Sequence, residues 1–143
     1  MAEPRRTILV VDDNLDLLEL LREGLSAHFT ILLARNGAEG LTRATGARLD
    51  CAIIDIRMPD IDGLQLVRTL RGDPQTRDMP LIILTALPEE QGLLPGLLSG
   101  ADRYLTKPAL PSELIPAIHD AITLSAQERA RRLRSLAVEE GQS

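Results

Sequence analysis

The sequence predicts an α/β fold, a doubly wound five-stranded parallel sheet with helices on both of its faces. The first observation is that five short apolar runs alternate with five segments of helical character. The second is that several of these runs are apolar at every position, which is typical of strands covered on both faces. Because such alternation builds right-handed βαβ units, all strands should end at the same edge of the sheet.

The composition indicates one globular domain without the signature of a nucleic-acid or membrane protein. The chain has 143 residues, of which 44% are apolar, and its formal charge is −5. That charge, and the presence of Phe29 and Tyr104 as the only aromatic residues, argue against nucleic-acid binding. Cys51 is the only cysteine, which excludes disulfides and cysteine-based metal sites. No apolar run is long enough to span a membrane, so we predict a cytoplasmic protein.

The first half of the chain holds three of the strands and two of the helices. Strands are predicted where β-forming residues run without interruption, at Thr7–Val11, Thr30–Ala34 and Asp50–Ile54. Asn14 can cap the first helix, whose leucines recur at helical spacing as far as Leu25. The dipeptide Asn36-Gly37 is a turn signal, and a short helix over Ala38–Ala44 follows it.

The second half begins with a loop over Met58–Gly63, which holds a proline and a glycine, and continues with an amphipathic helix. Pro80 opens the fourth strand, where a proline need not donate a hydrogen bond. The fourth helix is predicted over Pro88–Ser99, although glycine and proline within it lower its helix propensity. The fifth strand is predicted over Ala101–Thr106.

The last helix should start at Ser112 and Glu113, with Pro116 in its first turn, where a missing N–H costs little. We expect a loose tail over residues 1–6, a globular domain over residues 7–124, and a helical extension or linker over residues 125–143. Within this extension, small and apolar residues follow a 4-3-4 spacing, at Ala126, Ala130, Leu133 and Ala137. Two interpretations stay open: a solvated helical tail, and a short coiled-coil seam or linker.

Polar residues stand where four of the predicted strands end. They are Asp12 and Asp13 after the first strand, Asp55 after the third, Thr85 after the fourth, and Lys107 with Pro108 after the fifth. At one sheet edge, three carboxylates, a hydroxyl and an ammonium group should therefore converge in the crevice where open α/β sheets bind ligands. This combination of groups suits a divalent cation and a phosphoryl group.

The three carboxylates are candidate ligands for Mg²⁺, a hard cation that prefers oxygen, and Mn²⁺ is a possible substitute. Without a cation, acids this close together would repel, and one of them would hold a proton. Asp13 and Asp55 can bind the ion directly and Asp12 can bind it through water. The backbone carbonyl of Arg57 can supply a further oxygen.

Asp55 is also a candidate nucleophile, because an aspartate can accept a phosphoryl group as an acyl phosphate. Phosphoryl transfer needs mainly positioning and the neutralisation of charge. Lys107 can pair with one phosphoryl oxygen, and the hydroxyl group of Thr85 can donate to another.

These motifs resemble the receiver domain of a two-component response regulator, such as a chemotaxis regulator, over about residues 7–124. The matching residues are Asp12-Asp13, Asp55 with Met58-Pro59 and Asp62-Gly63, Thr85-Ala86, Tyr104, and Lys107-Pro108. The resemblance implies a flavodoxin-like fold with strand order 2-1-3-4-5. It also implies a cis peptide bond between Lys107 and Pro108.

The resemblance further implies a function for each matching residue. The implied set is Asp55 as the phosphoacceptor, Asp12 and Asp13 as metal-site acids, Lys107 as the phosphate counter-ion, Thr85 with Ala86 as the switch, and Tyr104 as the aromatic that responds to it. The donor would be a phosphohistidine of a sensor histidine kinase or a histidine phosphotransfer protein. The surface of the fourth predicted helix, the fifth strand and the last helix would then bind a partner or form a homodimer. The last helix offers a second route to a homodimer.

Two positions that vary in this family bear on the lifetime of the acyl phosphate. Our hypothesis is that Arg57 shields the phosphoryl group from water and that Leu87 cannot orient an attacking water molecule. The phosphorylated form would then be long-lived. The alternative is that Arg57 simply points into solvent.

Other functions fit the sequence less well. A phosphorylation-independent scaffold module would not need the complete set of acids. An aspartate-nucleophile phosphatase would need a second aspartate two residues after the nucleophile, where Arg57 or Asn14 stands instead. We therefore predict a signalling domain rather than an enzyme, with no direct contact to nucleic acid or membrane. Two interpretations stay open: a single-domain regulator that acts through protein contacts, and an output domain beyond Ser143 in a longer parent protein.

Overall fold

The computed structural model describes residues 5–58, 60–85 and 100–141. Its elements are β1 (Thr7–Val11), α1 (Leu15–Leu25), β2 (Thr30–Ala34), α2 (Gly37–Gly46), β3 (Cys51–Asp55), α3 (Gly63–Gly72), β4 (Leu81–Thr85), β5 (Arg103–Thr106) and the C-terminal helix α4 (Pro111–Gly141). The helix predicted over Pro88–Ser99 lies outside the described residues, as do Ala86 and Leu87.

The strands form one parallel sheet in the order β2-β1-β3-β4-β5, which confirms the predicted fold class and strand order. The register aligns the ends of the strands. Val11 pairs with Ile54, and Thr85 pairs with Thr106. Residues that follow β1, β3 and β5 therefore emerge at the same edge of the sheet, as the βαβ connections require.

The sheet is covered on both faces, and alternate residues of each strand belong to two different apolar clusters. Ile8 and Val10 of β1 pack in the cluster that includes buried residues of α1 and α4. Leu9 and Val11 pack in the cluster that includes residues of α2 and α3. Because successive side chains of a strand point to opposite faces, a continuously apolar strand supplies both layers of the core.

Several element boundaries differ from the sequence prediction by one or two residues. Asn36 does not form a turn but caps α2, which begins at Gly37 and extends to Gly46. Asp50 lies just before β3, where its N–H donates to the Thr7 carbonyl and its carboxylate accepts from the Thr7 N–H. Asp62 likewise caps the helix that begins after it, so the predicted loop ends one residue early. β5 is two residues shorter than predicted at its start.

The C-terminal helix is longer than its packed part and begins before the predicted residue. It starts at Pro111, a position where proline is favoured, so the prediction that Pro116 lies in the first turn was wrong. Ser125 is the last described residue of this helix that is buried. The helix nevertheless continues as a single element of 31 residues to Gly141. The boundary predicted between residues 124 and 125 stays a prediction.

Among the residues that the structure describes, no helix combines the length and the apolar character needed to cross a bilayer.

Candidate phosphoryl and metal site

Three carboxylates meet at the carboxyl edge of the sheet. Asp12 and Asp13 follow β1, and Asp55 ends the neighbouring strand β3. Each of the three offers a carboxylate oxygen, and these oxygens lie within 4.8 Å of one another. Asp12 is fully buried and Asp55 is 5% exposed, whereas Asp13 reaches the surface. The structure therefore brings these three acids together, as the sequence predicts.

Lys107 brings a positive charge to the two buried acids. Its Nζ lies 2.8 Å from Asp12 Oδ2 and 3.4 Å from Asp55 Oδ1. The lysine follows β5, which is separated from β3 by β4, so its long side chain spans the crevice. The peptide bond between Lys107 and Pro108 is cis.

The protonation of these groups reflects their crowding. Burial raises the pKa of Asp55 to about 6, and the negative charge of Asp12 raises it as well, while Lys107 opposes both effects. Burial alone would lower the pKa of Lys107, but its hydrogen bond to Asp12 and the charges of both acids leave that pKa raised. One ammonium group thus compensates only part of the negative charge of the cluster.

Local backbone contacts orient the acids. The Asn14 N–H donates to Asp12 Oδ1 at 2.9 Å, while the side chain of Asn14 caps α1 by accepting from the Leu17 N–H. The Arg57 N–H points at Asp55 Oδ1 at 3.4 Å. Asp12 therefore accepts a hydrogen bond from the N-cap residue of α1 and also belongs to the acid cluster.

The loop between β3 and α3 folds back tightly over the end of β3. The Gly63 N–H donates to the Ile56 carbonyl at 2.7 Å. A Cβ at Gly63 would lie 2.2 Å from the Asp55 carbonyl oxygen, so any side chain there would force the backbone apart. Gly63 is thus required for the close approach of α3 to the residue that carries the central carboxylate.

Other predicted site residues are placed less completely. Thr85 ends β4, opposite Thr106, and its side chain lies outside the described part of the chain. Tyr104 lies on β5, two residues before the strand ends, and is 45% exposed. The side chain of Arg57 is exposed at the rim of an open depression, which is lined by Asp13, Ile56, Arg57, Met58, Asp62 and Leu64.

Sequence reasoning missed one residue beside the site. The carboxylate of Asp60 accepts hydrogen bonds from the Gly37 and Ala38 N–H groups, at 3.0 Å and 2.9 Å. It thereby joins the loop after β3 to the start of α2. No local pattern connects residues 60 and 37, because only the folded sheet brings the two segments together.

The donor set fits a divalent cation such as Mg²⁺. Such ions bind hard oxygen ligands, and three carboxylates that share so small a volume offer those oxygens. The remaining negative charge beside Lys107 favours a cation in the same place. Asp12, Asp13 and Asp55 are the residues that would hold it.

Comparison with known proteins identifies the family. Residues 8–119 match the family model of the response regulator receiver domain. The chain belongs to the response regulator receiver family. It is therefore a receiver domain of two-component signalling, and this family consists of signalling domains rather than classical enzymes.

Curated relatives of the receiver domain are found among mycobacterial regulators. The transcriptional regulatory protein PrrA of Mycobacterium leprae is 39% identical over 119 residues, which cover 82% of this chain and 49% of the relative. The response regulator MprA of Mycobacterium tuberculosis is 37% identical over 124 residues, which cover 86% of this chain and 53% of the relative. The chain thus spans about half the length of the curated relatives it matches.

Solved structures of receiver domains have the same fold. The chemotaxis protein CheY4 of Vibrio cholerae is 28% identical, with a TM-score of 0.73 over 82% of this chain and 99% of that protein. A receiver domain protein of Clostridium thermocellum is 30% identical, with a TM-score of 0.76 over 85% of this chain and 98% of that protein.

Proposed function

We propose that this receiver domain accepts a phosphoryl group on Asp55 from a phosphohistidine of a sensor histidine kinase or a histidine phosphotransfer protein. The observation that carries the proposal is the placement of Lys107, whose Nζ lies within 3.4 Å of Asp55 and closer still to Asp12. A phosphoryl group on Asp55 would add nearly two negative charges to an already crowded acid cluster. An ammonium group at this position can offset part of that added charge.

The transfer is a nucleophilic displacement at phosphorus. A carboxylate oxygen of Asp55 forms the new O–P bond, the P–N bond to the donor imidazole breaks, and the imidazole nitrogen keeps the bonding pair and takes up a proton. Lys107 stands where it can exchange its contact with Asp55 Oδ1 for a contact with a phosphoryl oxygen. Thr85, at the end of β4, is proposed to donate to another phosphoryl oxygen.

A divalent cation, Mg²⁺ or Mn²⁺, is part of the proposal. Asp12, Asp13 and Asp55 would hold it, with the backbone carbonyl of Arg57 as a further ligand. When bound, the ion supplies charge neutralisation at the transferred phosphoryl oxygens. The residues of this chain then fix the position of the accepting oxygen relative to the incoming group.

The output is proposed to be a change in a protein-binding surface. Phosphorylation would draw Thr85 and Ala86 toward the new oxygens, and Tyr104, which is now half exposed, would turn inward. The surface of segment 88–99, β5 and the C-terminal helix would then bind a protein partner or a second copy, without direct contact to nucleic acid. That helix is a second candidate for homodimer contacts.

The test is phosphorylation with a small-molecule donor. The protein is incubated with acetyl phosphate and Mg²⁺, and the adduct is located by intact-mass and peptide mass spectrometry. We expect one adduct on Asp55 that disappears when EDTA replaces Mg²⁺ and in the variant Asp55→Asn. Asp50→Asn, which changes an aspartate at the opposite end of β3, should leave the adduct unchanged.

Absence of any adduct in the wild-type protein would favour the phosphorylation-independent scaffold, and repeated turnover of phosphate esters would favour a phosphatase.

The same phosphorylated sample tests the proposal that Arg57 and Leu87 prolong the phosphorylated state. Release of phosphate within seconds would contradict it.

A further inference from the structure

We propose that Asp60 is a positioning residue, which ties the loop between β3 and α3 to the start of α2 and so holds that loop in the shape needed for cation binding. The inference rests on the proposed function, because it assigns the loop to that site. It adds a residue that neither binds the cation nor touches the phosphoryl group.

The contact itself is bidentate and crosses between two elements. Asp60 Oδ1 accepts from the Gly37 N–H at 3.0 Å, and Oδ2 accepts from the Ala38 N–H at 2.9 Å. The first N–H groups of a helix have no partner within the helix, and its N-terminus carries partial positive charge. A carboxylate is the side chain best suited to both features. These hydrogen bonds also lower the pKa of Asp60, so the side chain is ionised at neutral pH.

The packing of Gly37 shows that the loop lies directly against α2. A Cβ at Gly37 would lie 2.7 Å from both the Cβ and the carbonyl oxygen of Ile61. The backbone next to Asp60 therefore packs against the start of α2 at a distance that only glycine at position 37 permits. Such a contact leaves little freedom for the loop to move away from α2.

Asp60 stands three positions after Arg57 in the same loop, so the contact with α2 acts close to the cation site along the chain. The loop is closed at its base by the Gly63 N–H, which donates to the Ile56 carbonyl at 2.7 Å. Arg57 lies between that closure and Asp60, and its N–H points at Asp55 Oδ1. With the base of the loop closed and Asp60 held on α2, we infer that the backbone of Arg57 has less freedom to move relative to Asp55. Groups that orient metal ligands from outside typically change metal affinity about 10–100-fold when they are removed.

The experiment compares Asp60→Ala with Asn36→Ala in the full chain. Asn36 also caps α2, but its side chain accepts from the Glu39 N–H of that same helix, at 2.8 Å, and it therefore serves as the matched control. Mg²⁺ affinity is measured by calorimetry, and backbone hydrogen exchange of residues 56–58 is measured in the metal-free protein. We expect Asp60→Ala to weaken Mg²⁺ binding about tenfold and to speed exchange of the loop, and Asn36→Ala to do neither.

A third variant distinguishes the loss of the hydrogen bonds between Asp60 and α2 from the loss of the negative charge alone. Asp60→Asn removes the charge but keeps one oxygen that can accept one of the two N–H groups, so its Mg²⁺ affinity should lie between those of wild type and Asp60→Ala. Equal losses in Asp60→Asn and Asp60→Ala would overturn the inference, as would equal effects of Asp60→Ala and Asn36→Ala.

Failure of the proposed function would look different. In that case the wild-type protein would bind no Mg²⁺ and take up no phosphoryl group. The hydrogen-exchange comparison would still report whether Asp60 holds the loop, since it needs no cation. Unchanged exchange in Asp60→Ala would then overturn the inference by itself.

Discussion

Three carboxylates lie close together in the folded chain, those of Asp12, Asp13 and Asp55. Two of them are buried, and a single lysine contacts only those two. Asp13, which is exposed, is not in an ion pair with Lys107 among the described residues. In the absence of a cation the three acids repel one another, and Asp13 is the one whose replacement disturbs no contact with Lys107.

The variant Asp13→Asn should make the metal-free protein more stable. For acids within 4.8 Å of each other, relief of repulsion at a solvated position is on the order of 1 kcal/mol. The free energy of unfolding, measured with urea in EDTA, should rise by about that amount. Added Mg²⁺ should stabilise the wild-type protein far more than the variant, because binding to the folded state alone raises its stability.

The control for this prediction is Asp16→Asn. Asp16 is an exposed acid in the first turn of α1, outside the cluster, where a negative charge is favourable. Its replacement should not stabilise the protein. A metal-free Asp13→Asn variant that is less stable than wild type would show that the acids do not repel.

Two of the three glycines in helix α2 have opposite roles. Gly37, at its start, is pressed against Ile61, and a Cβ there would lie 2.7 Å from the neighbouring atoms. Gly46, at its end, has open space within 4 Å of the position that a Cβ would take. Neither glycine has a positive φ, so the two differ in the space around them rather than in backbone conformation.

The same substitution at these two positions should therefore have opposite effects. Gly37→Ala should lower the free energy of unfolding by about 1–3 kcal/mol, because the loop must shift to admit a methyl group. Gly46→Ala should be neutral or stabilise the protein by up to about 1 kcal/mol, because alanine restricts the unfolded chain. Urea denaturation of both variants checks this, and a Gly37→Ala protein as stable as wild type would contradict the close contact.

The described part of the chain forms a packed body, and its C-terminal helix continues beyond Ser125, the last described residue of that helix that is buried. The last hydrogen bond that anchors the described part of this helix to the body runs from Ser125 Oγ to the Asp78 carbonyl at 2.7 Å. Ser125 is buried, whereas Ser135 lies further along the same helix and is exposed. The two serines thus mark the packed and the projecting parts of one element.

Replacing each serine by alanine should locate the end of the packed body. Ser125→Ala should lower the free energy of unfolding by about 1 kcal/mol, because the Asp78 carbonyl loses a buried partner. Ser135→Ala should leave it unchanged or raise it by a few tenths of a kcal/mol, since alanine is the better helix former. Thermal or urea unfolding measures both. Equal losses would indicate that the body extends beyond the predicted boundary at residue 124.

Local patterns predicted most of the fold, and long-range contacts account for what they missed. β1 and β2 have the predicted bounds because uninterrupted β-forming residues determine them locally. The convergence of the acids followed from the prediction of parallel strands, because the carboxyl ends of such strands share one edge of the sheet. By contrast, the start of the C-terminal helix was misplaced because Pro111 and Ser112 both satisfy the rules for a first turn. The contact of Asp60 with α2 was not predictable, because it depends on how two distant segments meet in three dimensions.

The C-terminal helix continues well beyond Ser125, its last described hydrogen-bonded contact with the packed body. Gly141 stands sixteen positions after Ser125, and at a rise of 1.5 Å per residue the helix extends about 24 Å from the last anchor. A rotation of the packed part by about 10° would carry the far end through roughly 4 Å at that length. A small rotation of the packed part would thus become a much larger displacement at the far end of this helix.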